Sequence, residues 1–458
     1  MDAVTAELAA GEARALEELA EFVAIPSVST DPAHAADVRR AVEWVASRIR
    51  RAGAAEVAIW ETPRHPAVFA RWDGPPGAPT LLVYGHADVQ PPDPVDAWHS
   101  PPFVLTERNG RLYGRGVSDD KASMLQPILA ADAFVRAGGR TPVNLRMLIE
   151  AEEEIGSPSL PALVRERRGA LACDVALSAD GGMWRAERPS LNISARGLAS
   201  LAFAVHGPAK DLHSGRHGGG IANPLHAAAS LVASLHDAGR VAVDGFYDEV
   251  DAIEPEVLAA VDRLPFYERR YLAEVGATAA FGEPGYGTLA RQWYRPTLEV
   301  NGLYGGYQGP GGKTVLPAEA HVKITCRLVP RQRPEIIAAR VRAHLERRCP
   351  PGVRLVFDAD GHGAEAYRVS PGHPAMRAAA ATLAEVFQAP VDFVGMGGTV
   401  PIVSTFRDVL GVDTVFFSFS VADEDIHAPN EFYRVERFRL GPVAWARLLR
   451  TLADGYGM

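Results

Sequence analysis

Residues 80–88 read Thr-Leu-Leu-Val-Tyr-Gly-His-Ala-Asp. A short apolar run with β-branched and aromatic members is followed by a glycine. Two groups able to bind a metal or move a proton come next. Thr80 to Tyr84 is too short for a helix and has no polar face, so it reads as a buried strand stopping at Gly85. Val143 to Ile149, apolar apart from Asn144 and Arg146, reads as another buried strand, and another apolar run ends at Leu177. Helical spacing occupies Ala13 to Val23, Val38 to Arg51 and Lys121 to Ala137. Strands alternating with helices predict an α/β fold with a mixed, largely parallel sheet flanked by helices. Functional groups in such sheets gather just past the carboxyl ends of strands. The segments after Tyr84, Ile149 and Leu177 are therefore the places to look.

From about Leu191 the texture changes. Leu201 to Gly207, Ala320 to Leu328 and Val353 to Asp358 resemble strands, and Ala222 to Leu235 and Pro334 to Arg347 are helix-like. This stretch predicts an inserted α+β domain over 191–369. Helical Pro374 to Phe387 and strand-like Thr414 to Ser418 then resume the first domain, giving 1–190 and 370–458 as its two parts. A length of 458 residues agrees with two domains.

The net charge of −9 argues against nucleic acid as a partner, because phosphate binding needs clustered Lys and Arg. Cys173, Cys326 and Cys349 are far apart and form no CxxC pair, which disfavours a thiolate metal site and a disulfide scaffold. The opening residues lack a basic stretch before an apolar core, so no secretory signal is expected. No run approaches the ~20 apolar residues of a membrane span. A cytoplasmic protein with no membrane contact is the expectation.

Five segments carry groups suited to chemistry. Gly85-His86-Ala87-Asp88 offers an imidazole and a carboxylate able to orient it, although an ordinary loop would look the same. Residues 114–121, GRGVSDDK, place paired aspartates where a loop becomes a helix; a helix cap is the plain alternative. Glu150, Glu152, Glu153 and Glu154 crowd behind a buried strand. They form either a solvated helix start or a cation site, where a metal would relieve their repulsion. Ser178-Ala179-Asp180-Gly181-Gly182 follows another apolar run, and residues 423–431, DEDIHAPNE, add His427. Hard oxygen donors with two imidazoles suit zinc, manganese or cobalt.

Taken together, GHADVQP, GRGVSDDK, EEEIGS, SADGG and DEDIHAPNE resemble the metal-site motifs of the M20 metallopeptidases, in order and across nearly the whole chain. The resemblance is greatest to the dipeptidase branch, with its carnosinase-like and other cytosolic dipeptidases. It implies that His86 and Asp180 ligate one divalent ion, Glu154 and His427 a second, and that Asp119 bridges them. Zinc comes first, with manganese and cobalt as alternatives. It further implies that Asp88 orients His86, that Glu153 is the general acid/base, and that the Asp119–Asp120 peptide is cis. Three consecutive glutamates leave the register open by one; Glu153 and Glu154 are preferred because Ile155-Gly156 follows them.

The inserted domain becomes, by the same resemblance, a lid and dimerisation domain. His213, in KDLHSG at 210–215, would reach the partner's active site in a homodimer and stabilise the oxyanion. Arg327 would bind the substrate carboxylate. Gly397, Gly398 and Thr399 would line the substrate pocket, or simply make a tight turn. Asn301 and Lys313 lie in lid-like segments without an assigned role. The implied activity is hydrolysis of dipeptide amide bonds by a two-metal-activated water. The same machinery acting on N-acyl amino acids is the alternative, and a metal-free binding protein is a third reading.

Overall fold

The structure, a computed structural model, describes residues 1–359 and 363–455. The chain divides into two compact units. The first comprises Met1–Ile193, Val369–Val394 and Thr405–Met458; the second comprises Ser194–Arg368 and Gly395–Ser404. The sequence patterning keeps 370–458 in one piece, whereas the structure groups Gly395–Ser404 with the second unit.

The first unit is built on a six-stranded sheet. Its strands are β1 (Glu56–Trp60), β2 (Ala67–Trp72), β3 (Thr80–His86), β4 (Asn144–Glu150), β5 (Val175–Ser178) and, after the inserted segment, Thr414–Phe416. The spatial order is β1-β2-β4-β3-β5 followed by Thr414–Phe416. β1, β2 and β4 pair antiparallel, while β4, β3, β5 and the last strand run parallel. β3 is buried from Leu81 onward, which is why its sequence carries no alternation. Helices Glu12–Val23, Ala35–Arg51, Ala122–Gly138 and Val435–Gly455 belong to the same unit.

One expectation needs correcting. Gly85 does not stop β3; the strand continues through it to His86. A Cβ at Gly85 would lie 2.8 Å from Asp120 Oδ2 and 2.9 Å from Met124 Cγ. The glycine is there for a close approach. The antiparallel β1 and β2 go beyond what the patterning indicates.

In the second unit, β6 (Gly197–His206), β7 (Thr297–Gly305), β8 (Glu319–Leu328) and β9 (Arg354–Phe357) form an antiparallel sheet in the order β7-β8-β6-β9. Burial alternates along β8, so only one face is covered. Its core joins Phe203, Val205 and Ile324 from the strands to Leu231, Ile337 and Val341 from helices Pro224–Ala233 and Pro334–Arg348. The fold is thus α/β with a largely parallel sheet, plus an α+β unit with its own antiparallel sheet. Among the described residues, no helix is long and apolar enough to cross a membrane.

Candidate metal centre

Three neighbouring parallel strands of the first unit deliver most of the chemistry to one edge. His86 is the last residue of β3. Glu153 and Glu154 occupy the turn Glu153–Ile155 just beyond β4, and Asp180 lies two residues past β5. Asp119 comes from the turn before helix Ala122–Gly138, where Gly116 takes a φ of +79° and Asp119–Asp120 is cis. His427 stands in a sharply folded loop, at φ +64° between Asp425 at +51° and Asn430 at +67°.

These side chains converge as two groups. His86, Asp119 and Asp180 form one, and Asp119, Glu154 and His427 the other. Within each group the potential ligand atoms lie within 4.8 Å of one another. Asp119 is common to both: its Oδ1 is 2.9 Å from His86 Nε2, and its Oδ2 is 3.0 Å from His427 Nε2. Glu154 Oε2 is 3.2 Å from the same His427 nitrogen. His86 Nδ1 lies 3.1 Å from the Asp88 carbonyl. Donation of Nδ1–H there leaves the Nε2 lone pair directed at Asp119. A lone pair and a carboxylate oxygen at such distances need a proton or a cation between them. Three carboxylates and two imidazoles so arranged fit divalent ions.

The supporting contacts separate the clustered acids. Glu152 accepts from Thr62 Oγ1 and His65 N at 2.8 Å and from Ser159 N at 3.0 Å. Glu150 accepts from Tyr84 Oη at 2.5 Å and Ser157 Oγ at 2.8 Å. Both are thereby engaged elsewhere, and Glu153 and Glu154 remain for the centre. Asp88 holds these two by their backbone, its carboxylate accepting from Glu153 N at 3.3 Å and Glu154 N at 3.1 Å. Its Oδ1 is 3.5 Å from His86 Nδ1, so the carbonyl of Asp88 is the nearer acceptor for that ring.

Two residues inside the motifs carry no role in the sequence reading. Gln90 Nε2 donates to Glu154 Oε2 at 2.7 Å. Buried Glu431 accepts from Arg115 Nη1 (2.6 Å), Gly116 N (2.9 Å), Ser118 N (2.9 Å) and Asp119 N (3.1 Å). It ties the C-terminal motif to the loop bearing Asp119. Their signal was present: each is a polar side chain within a motif rich in ligands.

The electrostatics are those of crowded, buried acids. Burial pushes Glu153 well above the usual carboxylate range, against the opposing pull of His86. Burial and Asp119 raise Asp180 to about 6, and burial raises Glu154. Hydrogen bonds to Asp119 and Glu154 raise His427 to about 10. Burial works against ionised His86, yet Asp119 and Asp88 outweigh it and hold that imidazolium well above its ordinary range. The same partners, His427 and His86, overcome burial at Asp119 and lower it.

A family profile described as peptidase family M20/M25/M40 matches residues 82–451. The chain belongs to that family. This M20 chain is 30% identical over 453 residues to the Cys-Gly metallodipeptidase dug1 of Schizosaccharomyces pombe, covering 95% of each. Among solved structures it is similar to the dipeptidase Dug1p from Saccharomyces cerevisiae, with a TM-score of 0.85, 26% identity and 99% of each chain covered. Human carnosine dipeptidase 1 also matches, at TM-score 0.85 and 28% identity, with coverage of 99% of this chain and 98% of that one.

The other candidates from the M20 motifs lie in the second unit. His213 is exposed, and its Nδ1 accepts from Gly215 N at 3.0 Å. The ring proton is therefore left on Nε2, turned into a donor. Half-buried Arg327 donates from Nη1 to Thr399 Oγ1 at 2.9 Å. Both arginine and threonine belong to the second unit, as do Gly397 and Gly398. Arg327 and Asn301 line a cavity of about 590 Å³ there. Lys313 Nζ is 3.7 Å from Asp211 Oδ2.

Proposed function

We propose that this M20 peptidase is a dinuclear metallodipeptidase that hydrolyses the amide bond of dipeptides. The observation that carries the reading is the pair of donor groups sharing Asp119. His86 and Asp180 would hold one divalent ion and Glu154 and His427 the other, with Asp119 shared by both groups; zinc is the first choice and manganese or cobalt the alternatives. Ions bound there polarise the scissile carbonyl and acidify water.

The remaining steps belong to the chain. Glu153, its carboxyl pushed well above the ordinary carboxylate range by burial, is suited to accept and return a proton. It takes a proton from water as the oxygen attacks the carbonyl carbon. It returns that proton to the amine nitrogen as the C–N bond breaks. Asp88 fixes the backbone on which Glu153 and Glu154 stand. Nε2–H of His213, acting from the partner subunit of a homodimer, steadies the developing oxyanion. Arg327 takes the free carboxylate of the substrate, and the Gly397–Thr399 loop shapes its pocket. The inserted unit serves as lid and dimerisation domain. Three cysteines without disulfides support a cytoplasmic setting.

The test is metal-stripped protein restored with zinc, manganese or cobalt, assayed on dipeptides and on N-acetyl and N-succinyl amino acids. Two equivalents of metal per chain and preferential dipeptide cleavage are expected. Full activity without stoichiometric metal overturns the mechanism; N-acyl substrates cleaved in preference to dipeptides overturn the specificity.

A further inference from the structure

Four arginines line the second unit's cavity, and two of them, Arg196 and Arg327, border it together with Glu299, Asn301 and Thr325. These two are joined through one threonine. The Thr399 hydroxyl donates to the carbonyl of Arg196 at 2.6 Å and accepts from Arg327 Nη1 at 2.9 Å. Its one proton is spent on Arg196, so its lone pairs can only face a donor, and that donor is Arg327. The Arg196 side chain then turns back on the same loop. Its Nε donates to the Gly397 carbonyl at 3.1 Å, and its Nη1 approaches the Arg295 carbonyl at 3.5 Å. The loop begins with two glycines and has no side chain of its own to anchor it before Thr399. Arg196 grips it at both ends, by guanidinium at Gly397 and by backbone at Thr399.

The charges agree with this arrangement. Burial and the nearby Arg327 pull Arg196 down to about 10, with Glu299 acting the other way. Burial also lowers Arg327. Two desolvated cations side by side favour an anion between or beside them.

We infer that Arg196 is a positioning residue for carboxylate recognition: it pins the Gly397–Thr399 loop and, through Thr399, aims Arg327 at the free carboxylate of the substrate. The inference rests on the proposed role of Arg327 and adds the residue that makes that role geometrically specific.

The experiment compares a free-acid dipeptide with its C-terminal amide in Arg196→Ala, Arg196→Lys, Thr399→Val, Arg327→Ala and the Arg196→Ala/Arg327→Ala double variant. Arg196→Ala is expected to raise KM for the acid roughly tenfold or more, the scale of losing hydrogen bonds made by a charged group, with kcat changed far less. The amide substrate should respond little. Arg196→Lys should rescue only partly, because a single ammonium cannot reproduce the planar fork. Thr399→Val should show the same preference for damaging the acid, and it carries the test if Arg196→Ala does not fold. In the Arg327→Ala background, removing Arg196 should add less than about twofold, since the two act in series. Equal losses on acid and amide, or effects that multiply in the double variant, would overturn the inference. An Arg327→Ala enzyme that treats acid and amide alike removes the role of Arg327 and this inference with it. If Arg327→Ala discriminates while Arg196→Ala and Thr399→Val do not, the inference alone is lost.

Discussion

The acids around His86 are gripped from several sides, whereas among the described residues His213 and Arg327 are each held by one side-chain hydrogen bond. Asp88 accepts two backbone N–H groups and Glu431 accepts three plus an arginine. His213, by contrast, is exposed and held through Gly215 N, and Arg327 is held through Thr399. The difference fits the role proposed for each region. Carboxylates gathered out of water repel strongly and stay in place only if every neighbour is fixed. Groups that meet a substrate need to be reachable, and one orienting bond is enough to choose a tautomer or a direction. On the proposed roles, rigidity is thus concentrated where charge is made reactive, and adaptability where the substrate is selected.

Removing the proton carrier gives the largest effect that would sharpen this contrast. Glu153→Gln should reduce kcat by roughly 10²–10⁴-fold while elemental analysis finds the metal content unchanged. Near-normal turnover would break the assignment.

Next comes the exposed histidine. His213→Ala should cost roughly 10²–10³-fold in kcat, the scale of one oxyanion donor. Mixing His213→Ala with Glu153→Gln subunits should restore activity if the histidine serves the neighbouring chain, since one centre in the mixed dimer is then complete. No recovery after subunit exchange would confine His213 to its own chain.

A smaller effect concerns the grip itself. Glu431→Gln leaves the donor set intact but presents an amide N–H₂ to backbone N–H groups. Calorimetric titration should show metal affinity weakened by roughly 10–100-fold. Unchanged affinity would mean that the Asp119 loop holds its shape unaided.

The last effect is on stability rather than on activity or metal affinity, and is visible only as a function of pH. Burial raises Glu150 from the ordinary 4.5 to about 8. A carboxyl raised on folding contributes stability that is complete below about pH 4.5 and lost as pH rises through about 8. Glu150→Gln imitates the protonated acid. In metal-free protein, denaturant titration should find wild type and variant parallel near pH 4.5. The wild type should then fall behind by on the order of a few kcal/mol by pH 9. A pH-independent difference would show that Glu150 is ionised in the fold.

How much of this was legible in the sequence varied between the same two regions. The buried strands at Thr80 and Val143 were legible, because short apolar stretches of that length, the second broken only by Asn144 and Arg146, each ending in a polar cluster, fit strands better than helices. Their carboxyl ends led to His86, Glu153 and Glu154, and that of the run ending at Leu177 led to Asp180. The choice of Glu153 and Glu154 over Glu152 rested on the Ile155-Gly156 that follows them; in the fold, contacts from Thr62, His65 and Ser159 occupy Glu152. Gly85 misled, because a glycine that admits a neighbour looks the same in sequence as one that ends a strand. Arg196 was invisible. Its significance depends on a loop two hundred residues away in sequence, joined to it only by folding.

The grouping of donors has a consequence for biosynthesis. His86, Asp119 and Asp180 are all translated before the inserted unit, while His427 follows it. A ribosome-bound chain stalled midway therefore carries one half of the cage and lacks the residue that closes the other. On the proposed mechanism, an unfinished polypeptide lacks the complete hydrolytic apparatus until the late loop has been made.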